Sequence, residues 1–344
     1  MLGDRLKLGR LANALSLQDL SDALLEYNYP ITKAALSKFE IGTLVPNETC
    51  MAALCGVMNL DQSFFESEGW PGFGMEFYRK VDLINKSAGE LNAYLQIQLE
   101  QRLIVDKLLG IEPPPFQRTL ISPDPSNYQE EIDELAEELR RRWGNMNQPV
   151  ASFCTMLEND GWYVFELPGL FGVKSMCGVE TSTGRPFLAF SYANSIDDTR
   201  FDMLRELGCA YIQCEDKTLL HEMTGAFSRA LLLPRANVKQ EFSYMSQVPD
   251  YLTLTLLKRR YGMSRIQIRM RLRELGLYYS PLKNASKTIA RIQTRKLFDS
   301  KTEPLYFNEI PANFILRVME AKNRGVITRS AALSMLPNNI SFQI

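Results

Sequence analysis

Leu15-Ser16-Leu17-Gln18-Asp19-Leu20-Ser21-Asp22-Ala23-Leu24 and Thr32-Lys33-Ala34-Ala35-Leu36-Ser37-Lys38-Phe39-Glu40-Ile41-Gly42 decide how the N-terminal region is read. Ser16 stands just before the apolar rhythm of Leu17, Leu20 and Leu24, with Asp19 in the first turn, as an N-cap and its helix require. Thr32 caps a second short run, which Gly42 ends. Asn28 and Pro30 occupy the intervening turn. Two short amphipathic helices joined this way make a helix-turn-helix candidate.

Outward from this pair, Gly69-Trp70-Pro71-Gly72-Phe73-Gly74 breaks the helical pattern and closes a first unit at residues 1–68. Val81, Ile84, Ala88, Leu91 and Leu95 then recur at three- and four-residue spacing, predicting one or two helices over 75–110 as a connector or dimerisation element. Pro113-Pro114-Pro115 and Pro123-Asp124-Pro125 cannot continue a helix. A middle unit over 126–245 reads as helix, helix, strands, helices. Its strands are carried by Gly161-Trp162-Tyr163-Val164-Phe165-Glu166 and Arg185-Pro186-Phe187-Leu188-Ala189-Phe190. Residues 246–344 form a basic, helical C-terminal region. The expected fold class is mainly α with a smaller α+β middle domain, opened by a five-helix bundle.

At 344 residues, with 45% hydrophobic and 23% charged residues, the chain has the composition of a folded globular protein rather than a disordered one. No apolar run approaches a membrane span and no secretory leader pattern opens the sequence, so a cytoplasmic protein without membrane contact is expected. Six cysteines without C-x-x-C spacing read as packed free thiols. The net charge of −1 hides a marked asymmetry. Residues 252–301 hold 13 basic side chains against Glu274 and Asp299, a net of +11, while residues 1–68 hold five against nine, a net of −4. Arg265, Arg269 and Arg273 lie four apart on one helix face, a linear guanidinium array suited to phosphates. They are the candidate auxiliary DNA contacts. Phosphate neutralisation supplies much of DNA affinity, so the acidic first unit calls for help from a homodimer or from this array.

Leu15-Ser16, Leu20, Ala23-Leu24, Ile31-Thr32-Lys33, Leu36-Ser37-Lys38-Phe39-Glu40, Gly42 and Pro46 resemble the xenobiotic-response-element (XRE), lambda-repressor-like family of DNA-binding domains. The resemblance implies that the second helix enters the major groove of a double-stranded operator. Gln18, Thr32, Lys33, Ala35, Ser37 and Lys38 then become the DNA-facing positions. Leu17 departs from the family, which commonly has Gln there.

The middle unit resembles the ImmA/IrrE family of zinc metallopeptidase domains in Met156-Leu157-Glu158-Asn159-Asp160-Gly161-Trp162-Tyr163-Val164, in Arg200-Phe201-Asp202-Met203-Leu204-Arg205-Glu206-Leu207-Gly208-Cys209, and in Ala226 to Pro234. An H-E-x-x-H helix holds zinc between two imidazoles one turn apart, beside a glutamate base. Here the pattern reads Arg205-Glu206-Leu207-Gly208-Cys209, and the third ligand's place falls near Met223. A guanidinium cannot ligate. His221 is the only histidine, and the spacings of Cys209, Cys214, His221 and Glu222 match no closed tetrahedral signature. The expected protein is therefore a DNA-binding transcriptional regulator of repressor type, with no metal, cofactor or catalytic residue. Its peptidase-like middle domain would receive a protein or small-molecule effector. The alternatives are a metallopeptidase with an unconventional site that cleaves a repressor, and an antitoxin-like protein binder.

Overall fold

The computed structural model describes residues 2–79, 88–242, 251–277 and 307–337. It is mainly helical, with fifteen α-helices among the described residues and one small mixed sheet of four strands. Val81, Ile84 and the basic residues Lys283, Lys287, Arg291, Arg295, Lys296 and Lys301 of the sequence analysis, with Asp299, lie outside the described residues.

Five helices open the chain: α1 (Leu2–Ala12), α2 (Leu17–Glu26), α3 (Lys33–Glu40), α4 (Glu48–Met58) and α5 (Gln62–Glu66). Their starts are set locally. The Ser16 hydroxyl accepts the Asp19 N–H while the Asp19 carboxylate accepts the Ser16 N–H, a reciprocal capping box. Thr32 accepts the Ala35 N–H, and Asn47 accepts the Cys50 N–H. Asn28, with φ of 58°, takes the left-handed conformation that turns the chain from α2 towards α3. Leu6, Leu20, Leu24, Leu36, Phe39 and Leu54 fill the core between these helices.

The sheet holds β1 (Met75–Phe77), β2 (Tyr163–Glu166), β3 (Ser175–Glu180) and β4 (Arg185–Phe190), in the order β1-β3-β4-β2. β1 pairs antiparallel with β3, β3 antiparallel with β4, and β2 parallel with β4. Alternation along the strands sends Tyr163, Phe165, Phe187 and Ala189 to one face and Val164, Leu188 and Phe190 to the other, each into its own core cluster. With both faces covered, the strands read as continuous apolar runs. The second face packs on α7 (Tyr128–Arg142), α8 (Phe153–Asn159), α9 (Ile196–Tyr211) and α10 (Lys217–Leu232). α11 (Arg235–Phe242), α12 (Tyr251–Tyr261) and α13 (Arg265–Glu274) continue the same core through Val238, Leu254, Leu257, Ile268 and Leu272.

Two features differ from the sequence-based expectation for 75–110. Its first residues, Met75–Phe77, are the edge strand β1 rather than helix, because Gly178 opens a gap for them: a Cβ there would lie 2.2 Å from the Glu76 carbonyl oxygen. The helix that follows, α6 (Ala88–Leu109), has half of its residues buried within the chain's own fold. Ala93 and Ile97 enter the N-terminal core, while Leu91, Leu95, Leu99 and Leu103 meet the sheet. Val105 packs on α14 (Ala312–Asn323) and α15 (Arg329–Met335). A helix with buried residues on several sides is a core helix, and of the positions seen in the sequence only Ala88, Leu91 and Leu95 lie on it, along one of its stripes.

The C-terminal helices are locked down by charge. Arg200 and Glu309, both with fully buried side chains, pair at 2.6 Å. Glu309 also accepts the Cys154 N–H in the first turn of α8, and Glu158 from the end of α8 accepts the N–H groups of Asn313 and Phe314 in the first turn of α14. Each carboxylate thus satisfies the orphan donors of the other segment's helix. Removing one partner of a buried pair leaves an uncompensated charge, so Arg200→Met should cost about 3–5 kcal/mol. Arg200→Met with Glu309→Gln, which keeps the cap but removes the charge, should cost less than Arg200→Met alone; urea denaturation of the three chains measures both.

Candidate functional site

On the N-terminal bundle, α3 turns Leu36 and Phe39 inward, and Thr32, Lys33 and Lys38 are exposed with Ala35 and Ser37 half-buried beside them. The inner side is fixed by Arg10, whose guanidinium donates to both Glu40 carboxylate oxygens at 2.6 and 3.0 Å and to the Leu15 carbonyl at 2.8 Å. One arginine thereby ties α1 to the end of α3 and to the chain entering α2. Gln18 is exposed on α2 and donates to Asp22 at 2.8 Å along its own helix. The Thr32 hydroxyl is engaged as the α3 cap, which leaves Ser37, Lys33 and Lys38 with the freer polar groups. Ile41 and Val45, at the end of α3 and just after it, are 68% and 72% exposed, so this end of the bundle carries apolar surface outside any core.

The basic array on α13 is less free than its spacing suggests. The Arg265 guanidinium lies 4.5 Å over the Tyr251 ring and donates to Thr255 at 3.4 Å. Arg269 is half-buried with its Nε unpartnered, and Arg273 is exposed. Arg271, counted from sequence in the positive segment, is buried and binds the Leu233 carbonyl and Asp133. Lys258 pairs with Asp197 at 2.7 Å and Arg260 with Glu241 at 2.9 Å. Several of the segment's described cations are therefore neutralised within the fold.

The Arg205-Glu206-Leu207-Gly208-Cys209 phrase lies on α9, packed against α10 where Gly208 meets Thr224 and Phe227 closely. Arg205 points to the outside, 3.4 Å from Asp202 and 3.5 Å from the His221 ring of α10. Glu206 points inward, 3% exposed, and takes two bonds from Arg79 at 2.7 and 3.4 Å. Burial pushes the Glu206 carboxyl up, against the pull of the Arg79 charge. Burial also pushes the Cys209 thiol up to about 12, with the Glu206 charge adding to it, and holds the Cys177 thiol well above its usual range. Neither is a thiolate at neutral pH.

These residues do not fit a zinc ion. Arg205 and Arg79 bring guanidinium groups to this helix, Met223 is a buried apolar side chain, and Glu222 is exposed. Cys214 bonds the Asp216 carbonyl, apart from Cys209. Among the described residues no three His, Cys, Asp or Glu side chains gather closely enough to hold a metal. All six cysteines are free. No described helix is long and apolar enough to cross a membrane. No protein-family model matches the sequence, and no curated protein matches it.

Arg79 is the residue that sequence reasoning missed: it follows β1, far from α9 in the chain, and no local pattern announces its partner. Arg79→Ala should cost about 2 kcal/mol at neutral pH, less than for a fully buried pair because the arginine end is partly exposed. In that variant burial alone holds the folded-state pKa of Glu206 above its unfolded value. Its neutral form therefore stabilises the fold below the unfolded pKa of about 4.3, and that contribution is lost as pH rises through the folded pKa. The deficit relative to wild type should grow from pH 5 to pH 8 in denaturant titrations, and Glu206→Gln added to Arg79→Ala should remove the growth.

Proposed function

We propose that the chain is a DNA-binding transcriptional regulator acting through α2 and α3 on a double-stranded operator, and that its middle region binds rather than cuts. The observation that carries this reading is the two-sidedness of α3. Leu36, Phe39 and the Arg10–Glu40 bridge hold one side rigidly, while Thr32, Lys33, Ser37 and Lys38 present short polar and basic groups on the other. A rigid helix with such a face suits direct contact with base edges and phosphates. The −4 charge of residues 1–68 supports a homodimer, which doubles the phosphate contacts, and since α6 is buried the two copies would meet elsewhere. On α13, Arg269 is half-buried and Arg273 exposed, and the array would add phosphate contacts.

For the middle region, the reading rests on Arg79 and Arg205 at the helix where a metal-bound water would have to be activated. Ser37→Ala with Lys38→Ala should abolish the footprint on DNA upstream of the protein's own gene, with the circular dichroism spectrum unchanged. A footprint preserved by that double variant would assign the bundle to protein contacts instead.

A further inference from the structure

A cavity of about 570 Å³ opens where the N-terminal bundle, α6, the sheet and the C-terminal helices meet. That volume falls within the range of small-molecule sites, roughly 300–1,000 Å³. Its wall takes Leu60 from the bundle, Tyr94 from α6, Phe165 and Glu166 from the end of β2, Tyr192 from the segment after β4, and Phe314 from α14. Most of this surface is aromatic or aliphatic, but Glu166 is different. Its carboxylate is half-buried and has neither an ion-pair nor a hydrogen-bond partner among the described residues, and burial pushes its pKa up. The Tyr94 hydroxyl donates to the Glu166 backbone carbonyl at 2.9 Å rather than to its carboxylate, and the Tyr192 hydroxyl donates to the Glu309 carbonyl at 2.8 Å.

An unpartnered, partly desolvated carboxylate costs free energy that an arriving cation offsets. Aromatic side chains around it add the attraction of their ring faces for a cation. The other charged residue on the wall, Arg102, is 3% exposed. Its terminal nitrogens donate to Gln98 and the Val164 carbonyl, and its guanidinium lies 4.7 Å over Phe165 and 4.0 Å over Phe314. Its Nε has no partner. Glu166 is thus the accessible charge and Arg102 the enclosed one.

We infer that this cavity binds a small organic ammonium compound, with the ammonium on Glu166 and an apolar body among Tyr94, Phe165, Tyr192 and Phe314. The proposal goes beyond the DNA reading, and its test contains no DNA, so either can fail alone. Because the wall draws on the bundle, the sheet and the C-terminal helices at once, an occupant would contact all three.

Isothermal titration of the full chain at constant ionic strength uses three probes of one shape and different charge: phenethylammonium, 2-phenylethanol and phenylacetate. Saturable binding of phenethylammonium is expected, with the other two about tenfold weaker or worse, the loss of one charge-assisted hydrogen bond. Glu166→Gln, at a half-buried strand end, should weaken the ammonium about tenfold while leaving 2-phenylethanol unchanged. Glu166→Asp, which keeps the charge but withdraws it by one methylene, should lose less. No saturable binding of the ammonium, equal binding of the alcohol, or an unchanged affinity in Glu166→Gln would overturn the proposal. Preference for phenylacetate would also overturn it, by making Arg102 the recognising charge.

Discussion

The ion pair between Arg5 and Glu100, at 2.6 Å with both side chains almost fully buried, is the contact on which the arrangement of the whole molecule depends. Arg5 comes from the first helix of the bundle and Glu100 from the middle of α6. Around them the bonding is nearly complete: Arg5 Nε donates to the Phe64 carbonyl, its guanidinium lies 3.7 Å over the Phe64 ring, and Gln96 donates to the other Glu100 oxygen. Two charges taken out of water gain little net stability, but they tolerate only one relative placement of the elements that carry them. The same helix repeats the device with Asp106, which accepts from Arg317 of α14 and from the Tyr163 hydroxyl of β2. Apolar contact holds bundle, sheet and C-terminal helices to α6, and the buried charges set their register.

That placement gives α3 its role in the proposed function. Its outer face is left to solvent, while its inner face is held by α1 and α2, and α6 holds α1 in turn. In the middle region a comparable economy operates at α9. There Glu206 is satisfied by the guanidinium of Arg79, which arrives from the segment following β1. The internal cation ties the edge of the sheet to α9.

Local determinants were legible in the sequence, and long-range ones were not. Ser16 and Thr32 could be identified as caps because the groups they satisfy lie three residues away. Both aromatic runs became strands, and the mainly helical class with a smaller mixed region followed from the same patterns. β3 escaped notice because Ser175-Met176-Cys177-Gly178-Val179-Glu180 carries a glycine required by the close passage of β1, which local propensity reads as a break. β1 is too short to show a period. The burial of α6 escaped because three different neighbours use three different stripes, and the charges among them look like solvent-facing residues until Arg5, Arg317 and Tyr163 are placed. For the same reason the +11 count includes Arg271 although Asp133, far away in sequence, neutralises it. Of the candidate site, the α3 positions come from the resemblance to the helix-turn-helix family, whereas Glu166 and its cavity exist only in the assembled fold.

The central claim, that α3 is the element seated on DNA, is tested most directly by cleavage from a tethered chelate. With Cys55 and Cys214 changed to Ser, an iron chelate would be attached at Ser37→Cys, and in a second protein at Arg273→Cys. The account predicts strong cutting from position 37, confined to a few base pairs and repeated at a second half-site related by two-fold symmetry. Cutting from position 273 should be weaker and should fall on the flanking backbone. Uniform background cleavage from position 37, or localised cleavage from position 273 alone, would contradict it.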